Sequence, residues 1–221
     1  MKEYHQIGRK YFCARCGAEQ KGPAHAMFSF MRHGRTRLNA ENRSVGSIDE
    51  PMDEVGIGQA EEAARRMKKE EIVFDAIVTS TLIRAVRTSE IAAPMIGNPP
   101  IIIEWRLRER CIGIQEGQPE TLESDSQWLQ YDFTLEGAEP LREYEREKRE
   151  FLSDIKWQYR GKQVLFITHG FAMLTLVKFI KGLTIEEVTK FEPPGNCQIL
   201  TFALIDMCTD AKCGSEFAEI R

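Results

Sequence analysis

A three-layer α/β sandwich around a mostly parallel central sheet is the fold class this sequence predicts. Three observations predict it. Short apolar and β-branched runs alternate with amphipathic helical stretches along most of the chain. Runs such as Val164-Leu165-Phe166-Ile167 lack polar alternation, as expected of strands covered on both faces. Arginines, histidines and a serine follow directly on those runs, where open parallel sheets gather ligands.

The elements follow in order. Phe28 to Met31 reads as the first strand of a main domain spanning 27–206, and it stops in the polar loop Arg32-His33-Gly34-Arg35-Thr36. Residues 40–53 read as a polar loop with Gly46, Asp49 and Pro51. A helix follows, with Ala60, Ala63, Ala64 and Met67 on one face. Phe74 to Ser80 reads as a strand and Thr81 to Met95 as a helix, with Pro94 near its end. Ile101-Ile102-Ile103 is a short β-branched strand. Residues 118–142 are irregular, with Trp128, Tyr131 and Phe133 among acids, and suit a lid, a cleft wall or a plain surface excursion. Glu143 to Trp157 reads as a helix, Val164 to Thr168 as a strand closed by His169-Gly170, and Phe171 to Ile180 as a helix. A short helix from Thr184 to about Lys190 and a strand from Gln198 to Ile205 complete the domain. Residues 1–26 read as an appendage and 207–221 as a tail.

The composition sets bounds. At 221 residues the chain holds one substantial core and is short for two full domains. A net charge of −4 does not suggest a nucleic-acid binder. No apolar run approaches the roughly 20 residues that span a bilayer. The polar stretch from Met1 to Met27 has no hydrophobic signal core, so a cytoplasmic location is the expectation.

Three groups of reactive residues fall at strand ends: Arg32-His33 after the first strand, Ser80 and Arg84 after the second, His169 after the fourth. Each alone has a plain explanation. Arg84 on an amphipathic helix is ordinarily a solvated charge. Glu109, within the charged run Arg106 to Arg110, is ordinarily an exposed loop residue. His169 could simply satisfy a carbonyl. Together, in order and at strand ends, they point to one site.

These residues carry a resemblance to a known family. Arg32-His33-Gly34 with Thr36 and Asn39, then Asp49, Pro51, Gly56 and Gln59-Ala60, match its opening motifs. So do Ser80, Leu82, Arg84-Ala85 and Thr88, then Leu107, Glu109, Gly113 and Glu116-Gly117, then Thr168-His169-Gly170. Over roughly residues 27–206 the chain resembles the histidine phosphatase superfamily, with its phosphoglycerate mutase-like fold. The resemblance implies that His33 is the phosphorylated nucleophile. It implies that Arg32, Arg84, His169, Asn39 and Thr36 bind the phosphoryl group, and that Glu109 is the general acid, with Glu104 and Glu116 as alternatives. It implies no cofactor for catalysis. The chemistry suits the residue types, because phosphoryl transfer needs positioning and electrostatic clamping, and arginines donate forked hydrogen bonds to phosphoryl oxygens.

Arg35 replaces a residue often acidic in the family, and Arg37, Arg108 and Arg110 add charge. A basic cleft mouth, favouring a highly charged substrate, is therefore expected. The segment Arg110 to Gly117 resembles the phosphatase members more than the glycolytic mutases. The region between Glu109 and His169 is short for the cover a mutase requires. The expected function is hydrolysis of a small phosphorylated metabolite through a phosphohistidine. The alternatives are a phosphomutase, and a partner-binding protein on the same fold; a homodimer is left open. Finally, Cys13-x2-Cys16-Gly17 and Cys208-x4-Cys213-Gly214 supply four thiol ligands from the two ends of the chain, the number a structural zinc needs. Unpaired thiols in loose tails are the plain alternative.

Overall fold

Parallel strands need crossovers, and this chain makes them with helices that cover both faces of its sheet. The computed structural model describes residues 6–7, 10–12, 19–20, 26–121, 135–188, 190–205 and 216–219. Strands β1 (Gln6–Ile7), β2 (Lys10–Phe12) and β3 (Glu19–Gln20) form a three-stranded antiparallel sheet. The main sheet contains β4 (Ala26–Arg32), β5 (Ala76–Thr79), β6 (Ile101–Ile103), β7 (Gln163–Thr168), β8 (Ile199–Ile205) and β9 (Glu216–Glu219). Its order is β6-β5-β7-β4-β8-β9. The first four strands are parallel, β8 runs antiparallel to β4, and β9 pairs antiparallel with β8.

The side-chain period of two divides the core into two layers. Phe28 and Phe30 of β4 and Val164 and Phe166 of β7 face α4 (Leu141–Gln158) and α5 (Gly170–Lys181), where they meet Phe151, Ile155, Met173 and Leu176. Phe166 stacks on Phe30 at 4.9 Å between centroids and meets Phe151 edge-on at 5.6 Å. Met31, Leu165, Ile167 and Ile77 face the other way. They pack on Ala60, Ala63, Ala64 and Met67 of α2 (Glu54–Lys69) and on Ala85 and Ala92 of α3 (Ile83–Ala92). Small alanines let those helices approach the sheet closely.

Several expectations are corrected. The polar loop after the first strand opens with a one-turn helix, α1 (Arg37–Ala40), capped reciprocally by Thr36 and Asn39. The helix read as Thr81 to Met95 stops at Ala92 and tightens to a 3₁₀ turn over Ala93–Met95, because Pro94 has no N–H to continue the ladder. The last short helix, α6, spans only Ile185–Val188. Ile101–Ile103 forms the edge strand and is exposed. Part of the C-terminal segment read as a tail, Glu216–Glu219, joins the main sheet. Trp128, Tyr131 and Phe133, and all four cysteines of the zinc expectation, lie outside the described residues. Among the described residues no helix is long and apolar enough to cross a membrane.

The parallel arrangement carries β4, β5 and β7 to one edge of the sheet. Their carboxyl ends are tied by His33 N–H donating to Thr168 O (3.0 Å) and Ser80 N–H donating to Ile167 O (3.0 Å). Arg32, His33, Ser80 and His169 therefore start from neighbouring points of a rigid frame.

Candidate active site

The loop after β4 is shaped by close backbone packing. A Cβ on Gly34 would collide with the carbonyl of Gly56, and one on Gly56 with the backbone of Arg35, so the loop lies directly on the first turn of α2. Gly34 N–H donates to the Thr88 hydroxyl (3.1 Å) and Arg35 N–H to Gln59 Oε1 (2.9 Å). The motif residues Gly34, Gly56, Gln59 and Thr88 thus serve to hold one loop.

His33 is nearly fully buried. Its Nδ1 lies 2.8 Å from the Gly34 carbonyl, which can only accept, so Nδ1 carries the proton and Nε2 presents a lone pair. Arg84 Nε–H donates toward that lone pair (3.2 Å) and also toward His169 Nδ1 (3.2 Å). His169 then donates from Nε2 to the Ser80 hydroxyl (2.8 Å). The two rings stand 5.0 Å apart. Burial, followed by the Arg84 charge, holds the pKa of both imidazoles well below the ordinary value, so both are neutral at pH 7.

Two arginines flank the rings. Arg84 comes from the first turn of α3 and is 1% exposed. Its Nη1 donates to Ile48 O and its Nη2 to Gly46 O (2.8 Å), which fixes the plane of the guanidinium. Burial lowers its pKa to about 10, and it remains a cation. Arg32 is held by Nη1 donating to Pro194 O (2.9 Å), while its buried Nε has no partner among the described residues. A buried, orphaned donor on a half-buried cation beside an imidazole lone pair suits an anion.

Glu109 closes the constellation. Its Oε1 accepts from Arg110 N–H (3.0 Å) and Ala172 N–H (3.1 Å), and its Oε2 from Phe171 N–H (3.0 Å). The carboxyl group therefore sits at the amino end of α5, held by backbone donors. Tyr144 of α4 brings its hydroxyl within 3.2 Å of Oε1.

A cavity of about 600 Å³ is lined by Arg32, His33, Asn39, Arg84, Glu109 and Arg110, among others. His169 lies behind Arg84, outside the cavity wall. Thr36, expected on the substrate, is fully buried, and its hydroxyl accepts Asn39 N–H (3.3 Å) as the cap of α1. The structure separates the three acids. Glu104 binds Arg106, Glu116 accepts from Ser47 and Ile112, and neither lines the cavity.

The family model of the histidine phosphatase superfamily, branch 1, matches residues 28–210. The chain belongs to that superfamily. It is 32% identical over 177 residues, 73% of this chain and 83% of the relative, to a 2,3-bisphosphoglycerate-dependent phosphoglycerate mutase of Methylobacterium sp. (strain 4-46). It shares the fold of a mycobacterial glucosyl-3-phosphoglycerate phosphatase solved with VO3, with a TM-score of 0.74, 19% identity, and coverage of 89% and 98% of the two chains. It also shares the fold of a phosphoserine phosphatase from Entamoeba histolytica, with a TM-score of 0.72, 23% identity, and coverage of 89% and 95%.

Three side chains packed about the site carry no signal in the sequence. Tyr144 sits on an amphipathic helix, where an aromatic reads as core. Lys148, one turn on, donates to Arg108 O (3.2 Å) with its ammonium 3.9 Å from the Tyr144 ring centre, although a lysine there reads as solvated. Asn196 lies in Pro193-Pro194-Gly195-Asn196, which reads only as a turn; its Nδ2 donates to His33 O (2.9 Å) and Asn39 Oδ1 (3.4 Å).

Proposed function

We propose that this chain is a phosphatase that hydrolyses a small phosphorylated metabolite in the cytoplasm through a phosphohistidine at His33. The observation carrying the reading is the fixed tautomer of His33, whose Nε2 lone pair stands beside Arg84 in a cavity shared with Arg32 and Glu109. The phosphoryl oxygens bind Arg32 and Arg84, with Asn39 as a further contact. Nε2 attacks phosphorus as the ester P–O bond breaks, and a proton from Glu109 goes to the leaving oxygen. Water then enters, Glu109 takes its proton, the oxygen attacks phosphorus, and the N–P bond breaks to release phosphate. His169 stabilises the transferring group from behind Arg84.

A phosphoglycerate mutase-type phosphomutase is the second reading, favoured by the name of the Methylobacterium relative. Support for hydrolysis comes from the cavity, which has one arginine clamp for phosphate and also carries Glu120 and Glu192 in its lining. The deciding experiment follows a phosphate ester labelled in its phosphoryl group. Wild type should become labelled on His33 and release inorganic phosphate, and His33→Ala should lose release by about 10⁴-fold. Transfer of the label to a second hydroxyl, without release, would establish the mutase instead.

We further propose a structural zinc held by Cys13, Cys16, Cys208 and Cys213. The support is topological: the first pair falls in the chain between the paired strands β2 and β3, the second between β8 and β9. Protein purified without added zinc should contain about one zinc per chain by elemental analysis. A content near zero would sink the site.

A further inference from the structure

We infer that the site takes phosphomonoesters of an uncharged, apolar alcohol, with an alkyl or aryl body, in preference to phosphorylated acids or bisphosphates. This rests on the phosphatase reading above and names its substrate class.

The wall beyond the arginine clamp is apolar. Val45 and Ile112 line the cavity together with Phe171 and Leu174 from the first two turns of α5 and with Val188 and Phe191 from α6 and the turn after it. All but Phe191 and Phe171 are buried, so the surface is a formed one and not a loose fringe. Glu109 accepts the Phe171 N–H, so the group that protonates the leaving oxygen is anchored on the residue that begins this wall. A leaving group receiving that proton lies against the apolar side chains from its first carbon onward.

Of the arginines expected at the mouth, only Arg110 lines the cavity. Arg35 does not line the cavity and pairs with Asp53 at 2.8 Å. Arg37 lies outside it with Glu41 at 2.8 Å and Glu50 at 3.4 Å. Arg108 is likewise outside, between Glu139 and Glu147. Arg110 does line the cavity, but Nε and Nη2 donate to the Glu139 carbonyl at 3.0 and 2.8 Å, and its guanidinium stands 5.9 Å from the Phe171 ring centre. Lys190 shares the wall with two carboxylates, Glu120 and Glu192. A second anion on the substrate would lose its hydration among apolar side chains and meet these acids, whereas an apolar body gains by burial.

The test is a matched series of n-alkyl phosphates from methyl to hexyl, run beside 3-phosphoglycerate and phosphoserine. The longer alkyl leaving groups have similar basicity, so the slope from ethyl upward reports burial rather than leaving-group chemistry. We expect kcat/KM to rise about two- to fourfold per added methylene until the wall is filled. Hexyl phosphate should exceed 3-phosphoglycerate by tenfold or more. Phe191→Ser, at an exposed turn position that folding tolerates, should flatten the slope. Glu192→Lys should raise kcat/KM for 3-phosphoglycerate relative to hexyl phosphate. A flat series with measurable hydrolysis, or a preference for the phosphorylated acids, overturns the substrate class and leaves the phosphatase reading standing. Hydrolysis of no ester, with no label on His33, overturns both.

Discussion

Arg84 offers one Nε–H to two neutral imidazoles, 3.2 Å from each acceptor nitrogen. A single proton cannot satisfy both fully, so the arrangement favours an incoming phosphoryl oxygen that accepts from the guanidinium and frees the His33 lone pair for attack. Tyr144 belongs to the same scale. Its hydroxyl lies 3.2 Å from Glu109 Oε1 and 3.2 Å from the Arg108 carbonyl, and the residue is fully buried. Tyr144→Phe should cost roughly 1 kcal/mol in stability, the net worth of one such hydrogen bond. Its kcat should fall about five- to tenfold while KM changes little, since the tyrosine touches Glu109 and lies outside the cavity. Equal kcat in the variant would remove Tyr144 from the positioning of the acid.

Helices α4 and α5 form one layer, and a buried ion pair joins them: Lys178 Nζ on α5 binds a carboxylate oxygen of Glu145 on α4, both side chains 7% exposed. Two charges out of water are tolerable only together. Glu145→Leu alone should destabilise by about 3–5 kcal/mol, because it removes the carboxylate that a buried ammonium binds. The double variant Glu145→Leu/Lys178→Met should recover most of that loss. Urea denaturation of the wild type, both single variants and the double variant checks this, and additive losses would show that the two residues act independently. The pair matters to the site because α5 supplies the N–H groups that hold Glu109 and α4 supplies Tyr144.

For the whole molecule the charge balance sets a pH dependence. His33 and His169 have folded pKa values well below the ordinary 6.5 through burial, so the unfolded chain binds protons there that the native state refuses. Wherever the unfolded state binds more protons, stability rises with pH. This contribution is therefore undiminished above about pH 6.5 and is lost as pH falls below it. Lys148, lowered to about 7 by burial and then by Arg108, acts in the same direction at higher pH, between about 7 and its ordinary 10.5. Melting temperature should fall from pH 7.5 to pH 5, and His169→Gln should show a shallower fall. An identical slope in the variant would place the acid sensitivity elsewhere.

The sequence by itself determined the alternation of strands and helices, the burial of β4 and β7 on both faces, and the gathering of Arg32-His33, Ser80 with Arg84, and His169 at strand ends, while Glu109 came from the resemblance to the superfamily. Periodicity writes burial directly into residue order, and strand ends in a parallel sheet meet by topology. Only the tertiary structure decided the rest. It assigned Thr36 to a cap, set Asn196 and Tyr144 beside the reactive groups, and paired Arg35, Arg37 and Arg108 with carboxylates away from the cavity. Long-range pairs such as Arg108 with Glu139 and Glu147 leave no mark in local pattern, because a charged residue reads the same whether it faces water, a partner or a substrate. The number of cations in a stretch is fixed by sequence, but the charge a substrate meets depends on which partners the folded chain brings to each of them.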